Sequence, residues 1–187
     1  MSTARKLLIY ATLVFGTFAC ALAIRLAYLH TLNEYRLSLV PDALQVTSIV
    51  YAMEESWGFG PGGNETGILV YRLPAATAAL AGTGLGFFEN MPGNSATAGR
   101  RWRVSYSDWK ETPIAADERH WPVDSRQQSL SSLDYLCRYG FCIEVAAALI
   151  RDVDSLINSP GSYYAYGRIG LIVVSPEKRL VVYLYNG

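Results

Sequence analysis

The chain has 187 residues, 51% of them hydrophobic, and its 16 basic and 16 acidic side chains give a formal net charge of zero. This balance provides no basic surface that would attract a nucleic-acid backbone, so we expect no nucleic-acid partner. Thirteen tyrosines and four tryptophans are typical of proteins whose sheets or interfaces use aromatic side chains.

An uncharged apolar segment lies near the N-terminus and reads LLIYATLVFGTFACALAI from Leu7 to Ile24. A helix needs about 20 apolar residues to cross a bilayer core. Apolar residues resume after Arg25, whose guanidinium can reach the lipid headgroups from within a span. The sequence therefore predicts a transmembrane helix over about residues 7–29, in an anchor of residues 1–38, and residues 39–187 are enough for one domain.

Three other interpretations of the apolar segment stay open. A cleavable signal peptide would be cut after Ala21-Leu22-Ala23, but the run is long for a signal peptide and the helical pattern continues past that site. A lipoprotein would carry its lipid on Cys20, where the bulky Phe18 fits poorly. The last interpretation is a buried helix of a soluble protein. A retained anchor in the lipid bilayer agrees best with the length of the run.

Topology depends on the positive charges near the two ends of this segment. Arg5 and Lys6 precede it, while Arg25 and Arg36 follow it, so the two sides nearly balance. The short N-terminal tail favours an N-terminus in the cytoplasm. We therefore expect the domain outside the cytoplasm, which in a bacterium means an inner-membrane protein with a periplasmic domain.

Residues 39–187 show the patterns of an α+β domain. Strands are predicted at Val46–Ser56, Ile68–Leu73, Trp102–Tyr106, Arg168–Val174 and Leu180–Tyr185, helices at 75–81, Arg126–Tyr139 and Ile143–Ile157, and a polar loop at 110–124. Strands and helices do not alternate regularly, so we expect an antiparallel sheet with helices packed on it.

The last two predicted strands are apolar without alternation, reading GLIVV from Gly170 and LVVYLY from Leu180. A strand with one face in water alternates apolar and polar residues. The Leu180 strand is therefore predicted to be central in the sheet and covered on both faces.

A glycine-rich loop, GFGPGGNETG, connects the first two predicted strands from Gly58 to Gly67. Glycines allow backbone N–H groups to converge on an anion or a partner. The loop lacks the Lys-Ser or Lys-Thr of a P-loop and precedes a strand, where a P-loop precedes a helix. A hairpin tip and a binding loop both stay open, and the candidate binding residues are Gly60, Gly62, Gly63, Asn64 and Glu65.

A second candidate binding region combines three tyrosines with an arginine: Tyr163, Tyr164, Tyr166 and Arg168. Tyrosine and arginine contribute strongly to binding at protein interfaces. The alternative is a strand whose tyrosines pack across a sheet.

Cys137 and Cys142 can form a disulfide in an oxidising compartment, or stay buried free thiols. Their spacing differs from the C-x-x-C of redox centres. His30 and His120 are the two histidines of the chain, so we expect no zinc site. No cofactor is expected either, because the glycine run Gly82–Gly86 follows a predicted helix rather than a strand.

His120 is the one histidine of the predicted domain and hence its one imidazole general base. Asp117 and Glu118 are its neighbours in sequence, and Glu54 and Glu65 flank the glycine-rich loop. No G-x-S-x-G motif indicates a nucleophilic serine.

We therefore expect a membrane-anchored, non-enzymatic binding or accessory module with a protein partner in the cell envelope, either an interaction subunit or an immunity-type inhibitor. Two alternatives stay open. One is an envelope hydrolase that uses His120 and nearby carboxylates, and the other is a small-ligand sensor built on the Gly58–Gly67 loop.

The apolar segment predicts how the chain partitions. The full-length chain is expected to require detergent and to stay with membranes after a carbonate wash, because Leu7–Ile24 has no charged side chain to solvate. A chain that begins after Asn33 is expected to be soluble. Recovery of the full-length chain in the soluble fraction after the wash would contradict the anchor.

Overall fold

The computed structural model describes residues 3–56, 65–91, 106–117, 119–121, 129–140 and 142–187. Its contacts divide the chain into two compact units, Met1–Arg36 and Leu37–Gly187.

The first unit is almost wholly the helix α1, which runs from Thr3 to Leu37 over 35 residues. Among the described residues it is the one helix long and apolar enough to cross a membrane. Its aromatic side chains Phe15 and Phe18 are exposed. The helix predicted for this segment is confirmed.

The second unit has six strands and four α-helices in its described residues. They are β1 (Ile49–Ser56), β2 (Glu65–Arg72), α2 (Ala75–Ala81), α3 (Leu85–Glu89), β3 (Lys110–Glu111), α4 (Ser132–Leu136), α5 (Ala147–Asn158), β4 (Tyr163–Tyr166), β5 (Gly170–Ser175) and β6 (Leu180–Asn186). The strands form one sheet in the order β1-β2-β6-β5-β4-β3, and every neighbouring pair is antiparallel. The predicted α+β class with an antiparallel sheet is confirmed.

Strand β6 lies near the centre of this sheet, between β2 and β5, and its residues from Val181 to Tyr185 are buried. The predicted central position of this strand is confirmed. Alternation sends Tyr183 and Tyr185 to one face, called here the tyrosine face, and Val182 and Leu184 to the other, called here the aliphatic face.

Helices and irregular segments cover both faces of the sheet. The core on the tyrosine face includes Leu37, Leu39, Val40, Leu44, Val46, Ala78, Ala81, Phe88 and Trp109, from residues 37–46, from α2 and α3, and from the residue before β3. The core on the aliphatic face includes Ile114, Trp121, Tyr135, Leu136, Ile143, Val153, Leu156 and Ile157, mostly from α4 and α5 and the segments before them. This double cover is why β5 and β6 carry apolar residues without alternation.

A bulge in β1 changes which face its side chains meet. Ile49 pairs with Tyr71 and packs on the tyrosine face, whereas Tyr51 pairs with Val70 and packs on the aliphatic face. Val50 is the extra residue between them and is 51% exposed. An inserted residue reverses the alternation of a strand, so the two ends of β1 contribute to different cores.

Two glycines make room for the tyrosines of β6. Gly67 of β2 lies directly between Glu54 of β1 and Tyr185 of β6 in the strand register. The ring of Tyr185 covers Gly67, and its hydroxyl donates a 2.6 Å hydrogen bond to Glu54 Oε1. On the other side, Gly170 of β5 leaves room for the ring of Tyr183, which stacks against Tyr185 at 5.4 Å.

The predicted helix Arg126–Tyr139 is wrong in its extent, because α4 covers Ser132–Leu136 and residues 126–128 lie outside the described residues. Side chains of α5 bind the backbone before and at the start of α4. Leu130 N–H donates to Asn158 Oδ1, and Ser132 N–H donates to Asp154 Oδ1. These bonds replace the backbone bonds that a longer helix would need.

Other boundaries also differ from prediction, among them the starts of β1, β2 and β5, which the sequence predicts at Val46, Ile68 and Arg168. Helix α5 begins at Ala147 rather than Ile143, since residues 142–146 are not helical, and Ile143 packs into the aliphatic-face core ahead of the helix. Lys110 and Glu111 form the short strand β3 inside the predicted polar loop. Of the predicted strand Trp102–Tyr106, residues 102–105 lie outside the described part, and Tyr106 is not in a strand.

The contact between Gly67 and Tyr185 predicts a measurable coupling. A Cβ at position 67 would lie 2.6 Å from the Tyr185 ring, so Gly67→Ala is expected to displace the ring and lower the free energy of unfolding by about 1–3 kcal/mol. In a Tyr185→Leu background the same change is expected to cost much less. Urea unfolding of the chain in mild detergent, followed by tryptophan fluorescence, measures both values.

Gly86→Ala is the matched control for this cycle. A Cβ at Gly86 meets nothing within 4 Å, and the residue is helical, so this change is expected to be neutral or slightly stabilising. If Gly67→Ala lowers the free energy of unfolding equally with and without the Tyr185 ring, the packing of that ring does not require a glycine at position 67.

Candidate functional site

The three predicted site tyrosines form strand β4, and the sheet sends them to different faces. Tyr163 contacts the Phe88 ring at 4.5 Å on the tyrosine face, whereas Tyr164 is buried in the aliphatic-face core. Tyr166 also points to the aliphatic face, and Arg168 is exposed in the turn between β4 and β5. The four residues therefore do not share one surface.

The glycine-rich loop lies mostly outside the described residues, which exclude Gly60, Gly62, Gly63 and Asn64. Glu65 begins β2, and its side chain is exposed. Its backbone N–H and carbonyl pair with Gly187 at 2.6 and 2.9 Å. A binding role for this loop stays a prediction.

Cys137 and Cys142 are joined in a disulfide, with their Cα atoms 4.5 Å apart. Cys137 directly follows α4, so the bond closes a short loop at the end of that helix. Arg138 and Tyr139 lie in this loop.

A cleft of about 370 Å³ opens at the end of the sheet where β6 ends and β5 begins. Four chain segments line it: residues 119–120, residues 135–139 with Tyr135, Arg138 and Tyr139, the β4–β5 turn at 167–170, and residues 186–187. This cleft brings Arg168, a predicted site residue, together with residues that no local motif indicated.

The charged side chains that line the cleft include three arginines. Arg119, Arg138 and Arg168 all line it, and none of its described lining residues has an acidic side chain. Within the described part of the chain, no ion pair joins Arg119 or Arg168 to a carboxylate. The Arg138 guanidinium lies 5.8 Å from the centre of the Tyr139 ring, within the range of a cation–π contact.

The wall formed by α4 is fixed to the sheet at the carbonyl end of that helix. The last carbonyls of a helix have no partners within it. The Thr66 hydroxyl donates to the Leu136 carbonyl at 2.9 Å, and the Asn186 side-chain amide donates to the Tyr135 carbonyl. Strands β2 and β6 thereby hold the helix end from which Arg138 and Tyr139 project.

His120 lines the opposite wall and is held on two sides. Its Nδ1 lies 2.9 Å from the Asp117 carboxylate, which also accepts its backbone N–H at 2.8 Å. Its ring stacks on Tyr166, with centres 3.8 Å apart. Trp121 Nε1 donates a 2.6 Å hydrogen bond to the Tyr166 hydroxyl, which fixes that ring in turn.

The phenols of Tyr135 and Tyr166 are neutral. Burial raises the pKa of both Tyr135 and Tyr166 well above the ordinary value of a tyrosine. They therefore add no negative charge to offset the arginines.

The structure does not bring His120 together with Glu54 or Glu65. Glu54 accepts the Tyr185 hydroxyl on the tyrosine face, whereas His120 packs on Tyr166, which belongs to the aliphatic face. The carboxylate beside His120 is Asp117. Among the described residues, no group of three or more His, Cys, Asp or Glu side chains could hold a metal ion.

Sequence reasoning missed Arg119, Arg138, Tyr139 and Asn186. They come from separate segments that converge only in the fold, so no local pattern indicates them. The one compositional signal is that 13 of the 16 basic residues are arginine, the side chain whose planar fork suits oxyanions.

Comparison of the chain with protein-family models, with curated proteins and with solved structures finds no match.

The Asp117–His120 contact predicts a change in carboxyl titration. Burial alone would raise the pKa of Asp117, but the side-chain and backbone hydrogen bonds from His120 outweigh it and hold that pKa below its usual value. His120→Ala is therefore expected to raise the pKa of Asp117, as measured by carboxyl carbon NMR. Ile169→Ala, in the same cleft, is the control.

The sign of the accompanying effect on stability follows from this lowered pKa. The ionised Asp117 favours the folded state above its unfolded-state pKa of about 3.9, and this contribution is lost as the pH falls through the folded-state value. If the pKa of Asp117 is unchanged in His120→Ala, the contact with the His120 side chain does not lower that pKa.

Proposed function

We propose that this protein is a single-pass membrane protein whose domain, residues 37–187, is a non-catalytic binding module that captures an anionic group in the arginine-lined cleft. The observation that carries the proposal is the presence of Arg119 and Arg168 in one concave site without a carboxylate partner among the described residues. Both side chains are exposed, and two guanidinium groups at one concave site attract anions and can form charge-assisted hydrogen bonds with an oxyanion.

The anchor part of the proposal is supported by α1. Its length and composition suffice for one membrane crossing, and apolar side chains such as Phe15 are exposed along it. A continuous exposed apolar helix surface is favourable in a bilayer and costly in water. We keep the orientation expected from Arg5 and Lys6, with the N-terminus inside and the domain in the envelope.

A protein partner is the second candidate for the cleft, and two exposed side chains favour it. Tyr139 is 61% exposed and Ile169 is 43% exposed, and both line the cleft beside the arginines. Aromatic and arginine side chains at the centre of a surface are those that bind protein partners most strongly. This version of the module corresponds to the interaction subunit or immunity-type inhibitor expected from the sequence.

Binding is preferred over hydrolysis because of what lines the cleft. The Asp117–His120 pair resembles the acid–base part of a hydrolytic site in its geometry. However, the described lining residues include no serine, threonine or cysteine that such a pair could activate. The cleft has positively charged and aromatic side chains, which suit binding of a ligand.

Site-specific photo-cross-linking in intact cells tests the proposed binding site. A photoreactive residue at Ile169 is expected to form an adduct, whereas one at Lys178 is not, because Lys178 is exposed in the β5–β6 turn at the other end of the sheet. Arg168→Glu is expected to remove the Ile169 adduct. A cross-link to a protein would indicate a protein partner. A cross-link to a lipid or to another small molecule would indicate an anionic ligand.

Two results would contradict the proposal. One is equal adduct formation at Ile169 and Lys178, and the other is an Ile169 adduct that survives Arg168→Glu. His120→Ala separates binding from catalysis, because a binding module is expected to keep the adduct and the cellular phenotype, whereas a hydrolase would lose the phenotype while keeping its fold.

A further inference from the structure

We infer that the anionic group taken by the cleft is a phosphoryl group, carried by a soluble phosphate ester or by a phospholipid headgroup. The inference rests on the binding function proposed above and names its ligand chemistry.

The number of guanidinium groups favours a multivalent oxyanion. Arg119, Arg138 and Arg168 line the same cleft from three separate segments, and no acidic side chain lies among its described lining residues. One carboxylate would supply a single negative charge against the two of Arg119 and Arg168, which have no carboxylate partner among the described residues. A phosphate monoester carries about 1.5 to 2 negative charges at neutral pH and three acceptor oxygens, so the guanidinium groups of Arg119 and Arg168 can both pair with it.

Two other polar side chains of the cleft each have one nitrogen engaged within the protein. The Asn186 amide nitrogen donates to the Tyr135 carbonyl, and His120 Nδ1 is paired with Asp117. Arg119 and Arg168 are the charged side-chain donors that favour an anion at this cleft.

The segments that carry two of these arginines are held in place. Arg138 lies inside the loop closed by the Cys137–Cys142 disulfide. Arg168 lies in the β4–β5 turn, where Gly167 N–H donates to the Gly170 carbonyl at 2.7 Å. Donors on a fixed backbone lose less conformational entropy when they bind a ligand. This smaller cost favours the binding of an ion that water also solvates well.

The rim of the cleft indicates that the phosphoryl group is part of a larger molecule. Tyr139 and Ile169 expose an aromatic and an aliphatic surface next to the arginines. A phosphate ester with an apolar or aromatic part would cover this surface, and inorganic phosphate would leave it in water. The volume of about 370 Å³ is at the small end of ligand sites, which agrees with a headgroup or a small ester.

Calorimetric titration of the full chain in a non-ionic detergent tests the ligand class. Inorganic phosphate is expected to bind, and acetate at equal ionic strength is not. Arg119→Gln and Arg168→Gln are each expected to weaken phosphate binding about tenfold or more, since each removes a charge-assisted hydrogen bond. Lys178→Gln, an exposed change in the β5–β6 turn, is the control and is expected to leave binding unaltered.

Vesicles distinguish the two sources of the phosphoryl group. The chain is titrated with phenyl phosphate and, separately, with phosphatidylcholine vesicles that contain or lack phosphatidic acid. Arg168-dependent binding to the phosphatidic acid vesicles indicates a headgroup, and Arg168-dependent binding of phenyl phosphate alone indicates a soluble ester. Either result supports the phosphoryl site.

Acetate binding as tight as phosphate binding would overturn the inference, and so would an equal loss of phosphate binding in Lys178→Gln and Arg168→Gln. An Arg168-dependent cross-link at Ile169 in cells, together with no phosphate or phosphate ester binding, would overturn the phosphoryl assignment alone. The proposed binding module would then stand with a different anion.

Discussion

The constraint on which the rest of the domain depends is the burial of strand β6 on both of its faces. Tyr183 and Tyr185 face one core, while Val182 and Leu184 face the other, so a single strand joins the two halves of the interior. Each large aliphatic side chain buried in this way contributes about 1.5–3 kcal/mol. The room that the tyrosine rings need is provided by Gly67 on β2 and Gly170 on β5, so the neighbouring strands are adapted to β6 as well as paired with it.

The cleft is a continuation of this packing. Asn186 ends β6 and binds the Tyr135 carbonyl, and Thr66 of β2 binds the Leu136 carbonyl beside it. The Tyr135 carbonyl also accepts a backbone bond from Arg138 N–H, and the two side-chain bonds fasten this end of α4 to strands β2 and β6. They also place Arg138 next to the β4–β5 turn. The positive charge of the site therefore depends on the same sheet end that completes the hydrophobic core.

Much of the fold could be predicted from sequence, because it depends on local patterns. The length of the apolar run predicted the helix α1, and the uninterrupted apolar residues from Leu180 predicted that β6 lies inside the sheet. The extent of α4 could not be predicted, because Asp154 and Asn158 bind its start from another helix. The residues that line the cleft could not be predicted for a similar reason. Apart from Arg168, its arginines lie in segments without a motif, and they come together only in the folded sheet.

Native-state hydrogen exchange of the full chain in detergent tests the central position of β6 most directly. The amides of Val182 and Leu184 are expected to exchange only through global unfolding, because β6 is paired on both sides and covered on both faces. The amides of β1, at the edge of the described sheet, are expected to exchange earlier through local opening. Exchange of the β6 amides as fast as those of β1 would contradict the account of the fold and of the cleft built on it.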